Sequence, residues 1–210
     1  MKSLLIAFTV FLFLGSCGSV DTAKDVPPLT VPAYQETVYT GNPQPIDVQG
    51  TPSLELCYFS SMEALGRDED GSGDAPFAAG VYYVRVRRAG ASPADDLIVE
   101  YHIEKAPVTI MAEPVQEAVY NGSPKSVTAA SEPPLGLRAV YYPTRAAREA
   151  AANSPAASEI LRGFTRVERA PIEPGTYYVT VYYPGDANYR YAKLDIELTI
   201  HPAARRPARQ

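Results

Sequence analysis

The chain has 210 residues, of which 20% are charged, a formal net charge of -5 and no tryptophan. The acidic balance disfavours nucleic acid as a partner. Twenty prolines, fourteen glycines and fifteen tyrosines suit short strands joined by turns rather than long helices.

Lys2 followed by the apolar run Leu4 to Leu14 has the positive start and short hydrophobic stretch of an export signal, too short to span a membrane comfortably. The run ends in Leu14-Gly15-Ser16-Cys17, which resembles a bacterial lipobox. That resemblance implies a signal peptide over residues 1–16, lipidation of Cys17 and a linker over 17–27, with the protein exported and anchored by lipid to the cell membrane or outer membrane. An ordinary secretory signal or an uncleaved anchor is the alternative. Loss of Lys2 with the signal would take the net charge from -5 to about -6. If Cys17 is acylated, Cys57 is the one remaining thiol. No intramolecular disulfide can then form, and Cys57 reads as a small buried hydrophobe.

Beyond the linker the chain repeats itself. Val38-Tyr39-Thr40-Gly41-Asn42-Pro43 returns as Val119-Tyr120-Asn121-Gly122-Ser123-Pro124, Gly80-Val81-Tyr82-Tyr83-Val84 as Gly175-Thr176-Tyr177-Tyr178-Val179, and Val99 to Ile103 as Ile196 to Ile200. One module used twice is implied, over residues 28–105 and 106–202. Alternation predicts strands with Tyr82, Val84 and Val86 inward and Tyr83, Arg85 and Arg87 wet. In the second copy Tyr177, Val179, Val181 and Tyr183 are inward against Tyr178, Thr180 and Tyr182. The closing strands place Val99, Tyr101 and Ile103, then Leu194, Ile196, Leu198 and Ile200, inside. Shorter strands are predicted at Leu29–Val31, Leu54–Phe59, Val108–Met111 and Leu137–Tyr142.

Between the middle and later strands each copy carries a predicted surface helix. Thr144 can cap Arg145–Ala152, and Ser60–Leu65 is the weaker counterpart. The junction Ile103-Glu104-Lys105-Ala106-Pro107-Val108 leaves almost no slack, so a stiff pair is expected rather than beads on a string. Residues 203–210, with Arg205, Arg206 and Arg209, read as a disordered basic tail.

The Tyr-x-Gly phrase, the Gly-(Val/Thr)-Tyr-Tyr-Val strand, the Lys-Ala-Pro junction and the segment Gly185-Asp186-Ala187-Asn188-Tyr189 together resemble the MBG-type, Ig-like repeat domains of bacterial surface proteins. The resemblance implies an all-β chain of two tandem small Ig-like β-sandwich domains, each with a short helical insertion; a β-grasp arrangement is the alternative. Copy one departs from it where Gly90-Ala91-Ser92-Pro93-Ala94-Asp95-Asp96 stands in place of the Gly-Asp-x-Asn-Tyr loop.

Few residues suggest chemistry. Asp68, Asp70 and Ser72 open a run resembling half of a calcium loop, but its twelfth position is Gly80 rather than the bidentate glutamate, and an acidic flexible loop is the better reading. His102 and His201 have no ligand-spaced companion, and no nucleophile elbow, phosphate loop or zinc-protease helix occurs. No cofactor and no enzymatic activity are implied. Outward tyrosines, Tyr83, Tyr178, Tyr182, Tyr189 and Tyr191, form a possible ligand surface for stacking on sugar rings or anchoring a protein. The expected role is a non-catalytic envelope spacer, adhesion or protein-interaction segment; the alternative is a carbohydrate-binding module.

Overall fold

The computed structural model of the chain describes residues 29–48, 53–152 and 169–203. The signal segment, Cys17, the linker and nearly all of the basic tail lie outside them. From Val31 onward the chain belongs to one compact unit.

Two four-stranded sheets carry the fold. The first contains β1 (Tyr34–Val38), β2 (Leu54–Phe59), β3 (Gly80–Arg88) and β4 (Leu97–Glu104) in the order β1-β4-β3-β2. In the second repeat β5 (Thr109–Met111) and β7 (Ala130–Glu132) pair as a small separate sheet. There β6 (Val115–Val119), β8 (Arg138–Tyr142), β9 (Gly175–Tyr183) and β10 (Ala192–His201) reproduce the first sheet in the order β6-β10-β9-β8. In both, the opening strand runs parallel to the closing one while the other pairs are antiparallel.

Alternation sorts the inner faces as the sequence predicts. Val84 and Val86 are fully buried and Val99, Tyr101 and Ile103 nearly so; Val179, Val181, Ile196, Leu198 and Ile200 form the core of the second repeat. Ile110 and Ala112, on and just after β5, together with Val127 and Ala129, cover that core from the opposite side. The second repeat is therefore sandwich-like, with β5 and β7 as its second layer.

Hydrogen bonds show that the repeat is structural as well as textual. Tyr82 Oη donates to the carbonyl of Ala78 at 2.9 Å, and Tyr177 Oη to that of Glu173 at 3.0 Å, each four residues back at the start of its strand. This is the tyrosine corner of immunoglobulin-like domains, and two residues on, where many such domains place a cysteine, stand Val84 and Val179. Gln35 holds both backbone groups of Asp47, and Gln116 both of Thr128. Each glutamine thus satisfies an edge that has no further strand. Tyr58 and Tyr141 accept from the amides of Ile46 and Val127 in the same way. The turn after each edge strand has Gly41 or Gly122 at φ 81° and 79°, a conformation that costs glycine least.

The tyrosine corners yield a prediction. Tyr82→Phe and Tyr177→Phe should each cost about 1 kcal/mol, because each removes one hydrogen bond and leaves a carbonyl unmet, whereas Tyr83→Phe should stay within about 0.5 kcal/mol. Urea denaturation of the three variants checks the contrast.

One expectation needs correction. No strand forms at Leu29–Val31; the first edge strand is β1 instead. The helices α1 (Met62–Arg67) and α2 (Arg145–Ala152) are capped by Ser61 and Thr144 and bury none of their own residues. They nonetheless lie against the outer faces of their sheets. Since neither covers an inner face, the β-grasp alternative is not needed.

Candidate inter-repeat joint and aromatic surface

The loop between β9 and β10 is built around one carboxylate. Gly185, at φ 78°, makes the first bend, where an added Cβ would come within 3.1 Å of the Tyr191 amide. Asp186 then accepts from the Tyr183 hydroxyl at 2.7 Å and from the amides of Asn188 and Tyr189 at 2.8 and 2.7 Å. The Tyr183 hydroxyl, followed by the two amides and the Lys105 charge, holds the Asp186 carboxyl below the usual carboxylate range. Burial, together with the bond to Asp186, pushes Tyr183 up to about 12.

This preformed loop fastens to the first repeat. Ala106 donates to the Asn188 carbonyl and accepts from the Arg190 amide, both at 2.9 Å, so the loop and the linker pair like a short parallel bridge. Asn188 Oδ1 accepts from the Ala79 amide at 3.0 Å. Lys105 Nζ donates to the Asp186 carbonyl at 2.6 Å. Tyr39 stands edge-on to Tyr189 at 5.3 Å and to Phe77 at 6.0 Å, ring centre to ring centre. The Glu104–Arg190 pair at 3.1 Å is half exposed on both sides and adds little by itself. Backbone bonds and a buried linker residue, Ala106 at 8% exposure, make this a joint rather than a tether.

Sequence reading foresaw the slackless linker and singled out the Gly-Asp-x-Asn-Tyr segment but did not connect them. Tyr39, Lys105 and Asn188 stand in quoted motifs without being assigned to a joint, and Ala79 was missed. The available signal was that the loop motif and the Lys-Ala-Pro linker each occur once, the loop in the second repeat alone.

The tyrosines do not converge on one platform. Tyr182 is only 5% exposed and offers no face to a ligand. Tyr178 lies beneath the guanidinium groups of Arg145 and Arg148, 5.4 and 5.7 Å from its ring centre, so helix α2 occupies the surface expected to be open. Arg145 also meets Glu197, and Thr180 donates to Asp195, on the same outer face. Tyr83 is half-buried in the first repeat. Tyr189 faces the joint, and Tyr191, 39% exposed, is the most open of the five. Tyr189 and Tyr191 do share a cleft of about 610 Å³ with Lys105, Arg138, Pro184 and Arg190.

The outer face of the first repeat departs from the wet face expected. Arg87 grips Asp96 with two bonds of 2.7 Å, and Arg85 meets Asp68 at 2.7 Å while lying over the Phe59 ring. The arginine and Asp96 side chains are mostly covered. Arg87 holds the Asp96 carboxyl below its ordinary range. Asp68 is thereby turned toward a guanidinium. Ser72 exchanges backbone bonds with Tyr58 and accepts from the Asp74 amide. Among the described residues no three metal-ligating side chains converge. Cys57 is half-buried beneath Gly71, and His102 and His201 each sit beside a glutamate, Glu100 and Glu117.

No family model and no curated protein matches this chain. Among solved structures it is similar to the N-terminal four Ig domains of Dscam1 isoform 7.44, at 13% identity and TM-score 0.30, over 81% of this chain and 44% of that one. Human mucin-like protocadherin EC1-2 gives 13% identity and 0.27 over 81% and 96%, and Sidekick-1 immunoglobulin domains 1-5 give 16% and 0.25 over 80% and 36%. The chain spans less than half the length of the Dscam1 and Sidekick-1 fragments. Likeness at this level carries no weight for function; the Ig-like assignment rests on the strand order and the two tyrosine corners.

Proposed function

We propose that this is a non-catalytic, lipid-anchored envelope protein of the MBG-type kind, in which two Ig-like repeats are locked together as a spacer or adhesion segment. The observation that carries the reading is the joint. A module pair whose task is to hold a surface group at a fixed position gains from directional bonds across its linker, since an ordinary inter-domain contact would let the repeats swivel. The lipobox-like Leu14-Gly15-Ser16-Cys17 supplies the anchor, with Cys17 as the acylated residue.

Feeding cells a radioactive fatty acid tests the anchor. Label is expected on the protein and lost in Cys17→Ser; equal labelling of both would refute it. Protease added to intact cells should cut the repeats if they face outward, and their full protection would remove the adhesion role.

A second reading is favoured by the cleft holding Tyr189 and Tyr191. An exposed ring beside Arg138, Lys105 and Arg190 offers a sugar both a stacking face and hydrogen-bond donors. On that reading a glycan panel gives a hit that weakens about tenfold in Tyr191→Ala with the urea midpoint unchanged. A flat panel leaves the spacer reading alone.

A further inference from the structure

A joint between two copies of one module has a consequence for assembly. The contact is heterologous: a loop of the later repeat seats on the far end of the earlier one. Such contacts propagate into open chains unless their outer ends are blocked. Repeat arrays therefore need ends that differ from their interior.

Both outer ends of this pair differ at the residues that make the joint. The loop of the first repeat equivalent to Gly185-Asp186-Ala187-Asn188-Tyr189 is Gly90-Ala91-Ser92-Pro93-Ala94. The glycine keeps its backbone, φ 79° against 78°, but Ala91 replaces the organising carboxylate, and the run to Asp96 holds neither an asparagine nor an aromatic ring. It forms a short helical turn over Pro93–Asp95 instead.

The receiving end of the second repeat is altered as well. Shared strand register makes Gly175 the counterpart of Gly80 and Ile200 that of Ile103. Ala79, whose amide binds Asn188, thus corresponds to Pro174, which has no N–H to give. Glu104, partner of Arg190, corresponds to His201, and Lys105, which holds the Asp186 carbonyl, to Pro202. The apolar shelf survives: Tyr120 stands for Tyr39 and Ile172, 39% exposed, for Phe77. The groups lost are the polar ones that fix direction, while an apolar remnant alone seats nothing specifically.

We infer that the Gly185–Arg190 loop is a module-docking key for the end formed by Ala79, Glu104 and Lys105, and that both outer ends of the pair are blocked versions of this joint, which keep a second copy from docking end to end. The inference rests on the joint and not on the lipid anchor, so it can fail while the envelope assignment stands.

The test moves the blocked end onto the working one. In the full chain, Ala79→Pro, Glu104→His and Lys105→Pro together should speed amide exchange at Ala106 and Arg190 at least tenfold, with Val84 and Val179 protected as before. Ala79→Pro alone, which leaves the linker untouched, should give a smaller acceleration at the same amides and serves if the triple variant does not fold. Unchanged protection in a folded variant would overturn the inference. Sedimentation, in detergent-free buffer, of the chain carrying Cys17→Ser alone to remove the lipid, with the joint and both outer ends unaltered, should give one copy across a hundredfold concentration range; concentration-dependent chains cross-linked between Gly90–Asp96 of one copy and Pro174 or Pro202 of the next would overturn it equally.

Discussion

Replacing Phe59 by alanine is expected to cost about 3–5 kcal/mol, among the largest effects of any single truncation in the first repeat. Strand alternation puts Phe59 on the side opposite Tyr58, away from the sandwich interior, where a single covered face would leave it wet. It is instead 1% exposed. The Arg85 guanidinium lies 5.3 Å from its ring centre, and Gly71 approaches so closely that a Cβ there would fall 2.6 Å from the ring edge and 2.5 Å from Cys57 Sγ. Removing the ring opens a cavity beneath a loop held by the Asp68–Arg85 pair and by the bridge between Ser72 and Tyr58. That segment cannot follow without breaking those bonds. Tyr34→Ala, at 47% exposure on the same outer side, should cost under about 1 kcal/mol. Urea unfolding of the two variants decides the matter: equal, small shifts in midpoint would mean the outer face is not a second core.

The contrast marks how far the sequence could be read. Period-two alternation, seen twice, identified the inner faces of β3, β4, β9 and β10, because burial on one side is a local property of each strand. What covers the other side is not local. The segments over the outer faces, Met62 to Asp74 and helix α2, attach through single arginines, a glycine and a few backbone bonds, none of which leaves a periodic trace. Tyr178 and Tyr182 therefore looked like a wet aromatic pair, when one lies under two guanidinium groups and the other is buried. The edge strands β1 and β6 escaped notice for a related reason. Their sequences, Tyr-Gln-Glu-Thr-Val and Val-Gln-Glu-Ala-Val, alternate exposed and half-buried residues without a strongly apolar side, and their partners lie more than sixty positions away in parallel register.

The covered outer faces and the joint have a common logic. In a two-layer domain the outer surface of the larger sheet is open to lateral pairing with another copy. Here the Met62 to Asp74 segment in the first repeat and helix α2 in the second shield part of that surface, and the ion cluster of Arg85, Arg87, Asp68 and Asp96 replaces what alternation suggested was a row of solvated charges. With that half of the sheet shielded, the principal directional contact available to each module is the one at its end, where the Asp186 loop meets Ala106.

Loosening that contact is the second large effect to expect. Asp186→Ala removes the acceptor of three hydrogen bonds at once, so the loop loses the shape in which Asn188 and Arg190 reach Ala79 and Ala106. Energy transfer between a probe on each repeat should then broaden from one narrow distance distribution to a wide one, while urea unfolding shows both sheets still folded at a cost of about 1–3 kcal/mol, from the three donors left without their charged acceptor. Acidity should reproduce the effect in the unaltered chain. Asp186 titrates below its ordinary value of 3.8, so its contribution is present above about pH 4 and fades as pH falls through the lower, folded value. Tyr183 runs the other way, raised from 10.0 to about 12: the neutral hydroxyl is the form the joint favours, and its contribution is complete below pH 10 and lost as pH climbs toward 12. The distance distribution should accordingly stay narrow across the range between and broaden at both extremes. In Asp186→Ala the acid limb should vanish, since the group that would take up the proton is gone; an acid limb that persists unchanged would show that some other carboxylate holds the repeats together.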